Sequence, residues 1–104
     1  MTDAAPSILS VDRIEGGVRV TGQVDLSNVD RFRDALTTAA ADASELVIDL
    51  GGCTYMGSEG IGVLIETVQA LGQGRLVLRS ASGIIQKVLD LSGLGNLPNV
   101  EITS

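Results

Sequence analysis

The sequence predicts a single α/β domain over residues 1–104, with a mixed, mostly parallel sheet of about five strands in the order β-β-α-β-α-β-α-β. Strand-like and helix-like periods alternate along the chain, and no linker, repeat or low-complexity segment interrupts them. Hydrophobic residues are 44% of the chain and aromatic residues 2%, so the core must consist mainly of Leu, Val, Ile and Ala. Right-handed crossovers between neighbouring strands would place the helices mainly on one face.

The first two elements form a predicted hairpin. Residues 8–14 have a strand-like pattern, Gly16 and Gly17 predict a turn, and residues 18–24 (VRVTGQV) alternate between apolar and polar side chains. Because every later strand is followed or preceded by a helix, this hairpin would supply the one antiparallel edge of the sheet.

A helix start is predicted at residues 27–30 (SNVD). The segment fits a capping box, in which the Ser27 hydroxyl and the Asp30 carboxylate accept hydrogen bonds from N–H groups at the helix start. Apolar residues then recur at helical spacing from Val29 as far as residues 39–40.

The remaining elements alternate between short apolar strands and amphipathic helices. They are a strand at 46–50 (LVIDL), a helix at 61–71 ended by Gly72 or Gly74, a strand at 75–80, a helix at 84–91 ended near Gly93, and a strand at 100–103. Arg13, Arg19, Arg75 and Arg79 are expected on solvated strand faces.

Charge and composition argue against several functions. Seven basic and thirteen acidic residues give a net charge of −6, which repels the phosphates of nucleic acids. No apolar run approaches the roughly 20 residues of a membrane-spanning helix, so no membrane insertion is expected. Residues 1–7 (MTDAAPS) lack the features of a signal peptide, and the single Cys53 excludes an internal disulfide. These features predict a cytoplasmic protein.

The sequence contains no histidine. A Ser-His-Asp triad needs an imidazole to take the serine proton, and zinc sites usually draw on His or several Cys. We therefore expect no enzymatic activity, no metal site and no cofactor.

Residues 54–62 (TYMGSEGIG) raise the functional question, because they lie between a predicted strand and a predicted helix. Ligands of α/β folds gather at such junctions, and N–H groups of residues 59–61 could face an anion there. Residues 52–57 match the G-x-x-x-x-G of a P-loop, but Ser58 and Glu59 replace its Lys and Ser/Thr. A G-x-S-x-G nucleophile elbow fails at Met56 and would need a histidine.

Two interpretations of Ser58 remain from the residues alone. In the first, Gly57 or Ser58 only caps the helix and Glu59 occupies its first turn. In the second, Ser58 is a phosphoacceptor, and the phosphate adds about −1.5 to −2 charges at an exposed helix start. Such a charge would switch the binding of a protein partner, but composition alone does not select this interpretation.

The central segment resembles a known family. Residues 46–71 (LVIDLGGCTYMGSEGIGVLIETVQAL) are similar to the centre of STAS domains of the anti-sigma factor antagonist type. Residues 49–50 (Asp-Leu) match the end of that family's strand, Ser58 matches its phosphorylatable serine, and Gly60 and Gly62 match the glycines that follow.

The flanking segments agree with this resemblance. Residues 22–25 (GQVD) resemble the family's Gly-x-Leu-Asp, and residues 87–94 (KVLDLSGL) resemble its third helix. The resemblance implies a stand-alone bacterial antagonist with the STAS fold, which regulates sigma-factor-dependent transcription. It implies that the unphosphorylated protein binds an anti-sigma factor that is also a serine kinase. Phosphorylation would then break the complex, and a phosphatase would restore it.

Carried onto this sequence, the resemblance makes Ser58 the phosphoacceptor. The implied partner-binding surface consists of Asp25, Gly57, Glu59, Gly60 and Gly62. Asp25 could equally belong only to the turn before the first helix. The family acid before the serine is Gly57 here, so Glu59 is the candidate replacement for its charge. Gly57 also keeps an alternative open, a STAS module that is never phosphorylated and acts as a scaffold or as an accessory subunit regulating a membrane transporter.

Overall fold

The computed structural model describes residues 8–103. Its elements are β1 (Leu9–Ile14), β2 (Gly17–Val24), α1 (Val29–Ala40), β3 (Glu45–Met56), α2 (Ser58–Leu71), β4 (Arg75–Arg79), α3 (Gly83–Ser92), a 3₁₀ turn (Leu94–Asn96) and β5 (Val100–Thr103). Residues 1–7, over which the sequence predicts no signal peptide, and residue 104 lie outside the described residues. Between residues 8 and 103, no helix combines the length and hydropathy that crossing a membrane requires.

The five strands lie side by side in chain order. β1 pairs with β2 in antiparallel orientation, and the three other pairs are parallel. Because right-handed crossovers between neighbouring strands return on the same side, the three helices cover one face of the sheet. The predicted fold class is therefore confirmed. The hairpin turn falls at residues 15–16, one residue earlier than predicted, since Gly17 already pairs with Ile14.

The covered face of the sheet forms an aliphatic core, as the low aromatic content predicts. β3 and β4 bury alternate side chains against the helices because successive residues of a strand point to opposite faces. The buried side chains include Leu46, Ile48, Leu50, Leu76 and Leu78 from the sheet, and Phe32, Leu36, Leu64, Ile85 and Leu89 from the helices. Truncating one of them to Ala would cost about 2–5 kcal/mol.

The opposite face of the sheet is lined by ion pairs. Asp49 on β3 lies between Arg19 of β2 (3.7 Å) and Arg79 of β4 (3.5 Å). Its Oδ1 also accepts a hydrogen bond from the Gly51 N–H (2.8 Å), which lowers the pKa of Asp49 below its usual value, and the two guanidinium groups add to that effect. Arg19 and Arg79 are partly exposed and Arg13 on β1 is exposed, as predicted.

A second row of ion pairs crosses the same face, this time with one base between two acids. Arg75 on β4 pairs with Glu45 of β3 (3.3 Å) and with Glu101 of β5. Each of these side chains is about half-exposed, so this row contributes little stability by itself.

β3 is longer than the sequence pattern predicts, because it runs to Met56 instead of ending at Leu50. The second half of β2 pairs with this extension, with Val24 opposite Met56. Register shifts in the β2–β3 pairing, one of them just after Gly22, accommodate the loss of alternation. Gly22 has φ +98°, and a Cβ there would overlap the Ile8 carbonyl oxygen, so this position of β2 requires glycine.

The predicted capping box at the start of α1 is wrong. The Ser27 hydroxyl donates to Asp25 Oδ1 (2.5 Å), and the Asp30 carboxylate pairs with Arg33 (2.8 Å). Asn28 is the N-cap residue, and its side chain makes no cap hydrogen bond. A carboxylate only two residues before Ser27 competes for its hydroxyl, and the pattern of residues 27–30 alone does not reveal this competitor.

Candidate functional site

The segment 54–62 is a direct strand-to-helix junction. Residues 54–56 complete β3, Ser58 begins α2, and Gly57 alone joins the two elements. The Gly57 N–H donates to the Val24 carbonyl at the end of β2 (3.0 Å), which fixes the junction to the neighbouring strand. Gly57 is buried and Ser58 is exposed. A held backbone therefore presents the Ser58 side chain to solvent.

The sequence predicts that N–H groups of residues 59–61 could face an anion, but most of them are hydrogen-bonded within the first turn of α2. The N–H groups of Gly60 and Ile61 both donate to the Gly57 carbonyl (3.0 and 3.3 Å). Gly57 is the N-cap residue in extended conformation, and no side chain caps the helix. The expectation of available N–H groups over residues 59–61 is therefore wrong for residues 60 and 61.

Asp25 lies at the same edge of the sheet, since the end of β2 is bonded to Gly57. Its Oδ1 accepts hydrogen bonds from the Ser27 backbone N–H (3.0 Å) and the Ser27 hydroxyl (2.5 Å). The Asp25 N–H donates to Asn28 Oδ1 (3.0 Å). These bonds give Asp25 the turn role that the sequence allows, and they hold a carboxylate at the edge. We call residues 24–26 together with 55–60 the Ser58 edge.

Glu59 occupies the space next to Gly57. A Cβ built on Gly57 would overlap Glu59 Oε1 and would lie 3.3 Å from the Tyr55 hydroxyl. The side chain of Glu59 thus folds back over the residue that precedes Ser58. A carboxylate stands at this position although residue 57 has no side chain.

The two glycines after Ser58 differ in their surroundings. A Cβ on Gly60 would lie 2.7 Å from Met56 Cγ and 2.9 Å from a Val24 methyl carbon, so α2 can approach the sheet only with glycine there. A Cβ on Gly62 would meet no other atom of residues 8–103 within 4 Å. Packing among these residues therefore explains Gly60 and leaves Gly62 unexplained.

Apolar side chains are exposed at the same edge as Ser58, and the sequence pattern does not predict them as part of the site. Leu26 follows Asp25 directly and is 76% exposed, and Ile8, equally exposed, lies beside the end of β2 because its carbonyl accepts the Gln23 N–H (2.9 Å). Tyr55 on β3 lies opposite Gln23 of β2 and is half-exposed. A leucine in an otherwise polar turn is the one sequence signal that could have indicated this surface.

The chemistry available at the Ser58 edge is limited. The chain has no histidine to take a proton from the Ser58 hydroxyl. Across residues 8–103, no group of three or more acidic, His or Cys side chains is placed to hold a metal ion. The site consists of an exposed hydroxyl with carboxylates and apolar side chains around it, an arrangement suited to contact with a protein.

The chain is similar to a known domain family and to named bacterial proteins. The family model described as "Mlab, STAS domain" matches residues 9–100. The chain is 29% identical over 86 residues to an anti-sigma-B factor antagonist of Staphylococcus aureus (strain NCTC 8325 / PS 47), which covers 80% of each protein. It is 27% identical over 89 residues to the anti-sigma-B factor antagonist of Bacillus subtilis (strain 168), which covers 84% of this chain and 82% of the relative.

A solved structure has the same arrangement of elements. The crystal structure of an anti-sigma factor antagonist from Mycobacterium paratuberculosis superposes with a TM-score of 0.77 and 25% identity, over 94% of this chain and 89% of the other. The sheet order and the three helices described above therefore recur in a protein of that name.

Proposed function

The chain belongs to the STAS domain family, and within that family we propose that it is an anti-sigma factor antagonist switched by phosphorylation of Ser58. The unphosphorylated protein binds an anti-sigma factor that is also a serine kinase, and this binding releases the sigma factor. The names of the Staphylococcus, Bacillus and Mycobacterium relatives support the antagonist role.

The observation that carries the proposal is the setting of Ser58. Its hydroxyl is exposed at the first position of α2, on a backbone fixed by the Gly57–Val24 hydrogen bond. Exposed Leu26 and Tyr55 lie at the same edge. An apolar surface around one small hydroxyl is typical of the centre of a protein interface.

Phosphorylation would change this surface without changing the fold. The Ser58 oxygen attacks the γ-phosphorus of ATP, the bond to the bridging oxygen breaks, ADP leaves, and the hydroxyl proton passes to a base of the kinase. The product carries about −1.5 to −2 charges at neutral pH. Beside the carboxylates of Asp25 and Glu59, and among apolar side chains that a partner would cover, this charge is repelled and costly to desolvate.

Glu59 supplies the acid that the family places before the serine. Because its carboxylate folds back over Gly57, it presents negative charge from the space that a side chain at residue 57 would use. In this proposal a kinase meets Ser58 with an acid beside it, contributed from the following residue. Glu59 and Gly62 then belong to the partner surface together with Asp25, while the buried Gly57 and Gly60 hold the backbone beneath it.

Intact mass measurement tests the phosphoryl transfer. The protein is incubated with ATP and each purified kinase-type anti-sigma factor of the genome that encodes it. We expect wild-type protein to gain the mass of one phosphoryl group and Ser58→Ala to gain none, while a serine phosphatase removes the group from wild type. No gain on wild type, or an equal gain on Ser58→Ala, overturns the switch.

Gly57 supports one other function, a STAS module that binds without phosphorylation. In that case the chain acts as a scaffold or as an accessory subunit of a membrane transporter, and the missing acid reflects the loss of a kinase site. Reconstituting the chain with the ATP-binding subunit of a transporter from the same genome separates the two. Binding there, with no phosphate on Ser58, favours the alternative.

A further inference from the structure

The exposed face of α2 continues the surface that begins at Ser58. Gly62 lies four residues after Ser58, and Ile65 lies three residues further, so all three share one side of the helix. Ile65 is a large apolar side chain that is 38% exposed. The distance from Ser58 to Ile65 along the axis is about 10 Å, which is two helical turns.

Nothing within residues 8–103 requires a glycine at position 62, in the middle of this row. A glycine weakens a helix interior, and at this position no neighbouring atom would contact an added Cβ. A side chain is therefore absent where nothing in the described residues excludes one. A glycine on this partly exposed helix face would let an external backbone approach closely.

A small cleft opens at the far end of the row. Ile65 forms one wall, and Ser92, Gly93, Leu94 and Leu97 form the rest, enclosing about 160 Å³. Leu97 and Ile65 are both partly exposed at its mouth, and Leu94 is buried at its base. Small-molecule sites usually measure about 300–1,000 Å³, so the cleft is too small for a nucleotide and matches a single aliphatic side chain.

We infer that the anti-sigma factor lays an α-helix along the exposed face of α2 and inserts one large aliphatic side chain into this cleft. The inference rests on the proposed function, whose surface at Ser58 is continuous with the row. Two positions seven residues apart on the partner helix would face Ser58 and the cleft, because the spacing matches two turns. Gly62 lies between them, where the two backbones come closest.

Lysine substitutions at the mouth of the cleft test this inference. Ile65→Lys and Leu97→Lys place a charge there, and both positions are exposed enough for the chain to fold. Leu91→Lys is the matched control, since Leu91 is 82% exposed on α3 and does not line the cleft. Binding is measured by calorimetry with the purified anti-sigma factor that wild type binds, after thermal melts confirm folding. We expect both cleft variants to bind at least about tenfold more weakly and the control to bind like wild type.

The failure of this inference differs from the failure of the proposed function. If wild type binds no anti-sigma factor of its genome, the proposed function fails. If wild type binds and Ser58→Asp disrupts binding, but both cleft variants keep wild-type affinity, only the helix-and-cleft inference is overturned.

Methyl NMR of wild-type protein gives a second test that needs no variant. The methyl signals of Ile65, Leu94 and Leu97 should shift on titration with the anti-sigma factor, while those of Leu91 stay in place. Unchanged Ile65 and Leu97 signals in a complex that perturbs the Ser58 edge would overturn the inference.

Discussion

The Glu59 carboxylate lies in the space where a side chain of Gly57 would begin, because a Cβ on Gly57 would overlap Glu59 Oε1. The sequence suggests only that Glu59 could replace a missing acid. The structure adds that its carboxylate points back across residue 57. A carboxylate is therefore present in the space beside residue 57, although it belongs to residue 59. Variants can test whether the kinase uses it.

Removing Glu59 should slow phosphorylation of Ser58, since the kinase would lose the acid beside its substrate. We expect Glu59→Ala to be phosphorylated at least about tenfold more slowly than wild type. The double variant Gly57→Asp/Glu59→Ala should recover part of the rate, because the new Asp enters the vacated space. Rates are measured as phosphate incorporated over time.

Glu45→Ala is the matched control for this experiment. Glu45 begins β3, at the opposite end of that strand from the site, and pairs with Arg75 (3.3 Å). Its loss should leave the rate unchanged. Equal rates for wild type and Glu59→Ala would show that Glu59 does not serve the kinase.

Alanine at the two glycines of α2 should have opposite effects on stability. Gly60→Ala pushes a methyl group against Met56 and Val24, and we expect it to lower the free energy of unfolding by about 1–3 kcal/mol. Gly62→Ala meets no atom and reduces the entropy of the unfolded chain, so it should stabilise by about 0.4–1 kcal/mol. Urea denaturation at constant pH measures both.

Partner affinity adds a second readout for Gly62. If a partner helix approaches here, Gly62→Ala should weaken binding in spite of its greater stability. A variant that is both more stable and equally tight would remove Gly62 from the partner surface.

Asp49 should make the fold sensitive to acid. Hydrogen bonding from Gly51, followed by the charges of Arg79 and Arg19, lowers the pKa of Asp49 in the folded state. A depressed pKa stabilises the fold above the unfolded value near 3.9, and the contribution disappears as pH falls through the lower folded value. Asp49→Asn should therefore flatten the fall of unfolding free energy between about pH 5 and pH 2.

Asp30→Asn provides the comparison, because Asp30 is fully exposed in a surface pair with Arg33. That variant should retain the wild-type pH dependence. If Asp49→Asn and wild type lose stability in parallel as pH falls, the ion pairs on the open face do not contribute as described.

Much of the fold could be predicted because its elements have clear periods. α1 and the last strand were predicted at the residues where they occur, since their apolar spacing is regular and their ends carry turn residues. β3 was predicted too short because Gly51 and Gly52 interrupt its alternation. Only the pairing with β2 reveals that the strand continues to Met56.

The same distinction applies to the site, because some of its residues follow from local sequence patterns and others only from the tertiary structure. Ser58 and its neighbours stand out in the sequence because a serine among glycines follows an apolar strand. The exposed Leu26 and the cleft at Ile65 depend on which chain segments meet in three dimensions, which no local pattern contains. The competition of Asp25 for the Ser27 hydroxyl was missed for a related reason, since two local motifs share one residue.

The most direct test of the central claim is the affinity of the anti-sigma factor for the same protein with and without phosphate on Ser58. Both forms are prepared from one batch, separated by ion exchange and titrated by calorimetry at equal ionic strength, with Ser58→Ala as the unphosphorylated control. We expect unphosphorylated protein and Ser58→Ala to bind alike, and phosphorylated protein to bind at least about tenfold more weakly. Equal affinity of the phosphorylated and unphosphorylated forms would contradict the proposed switch.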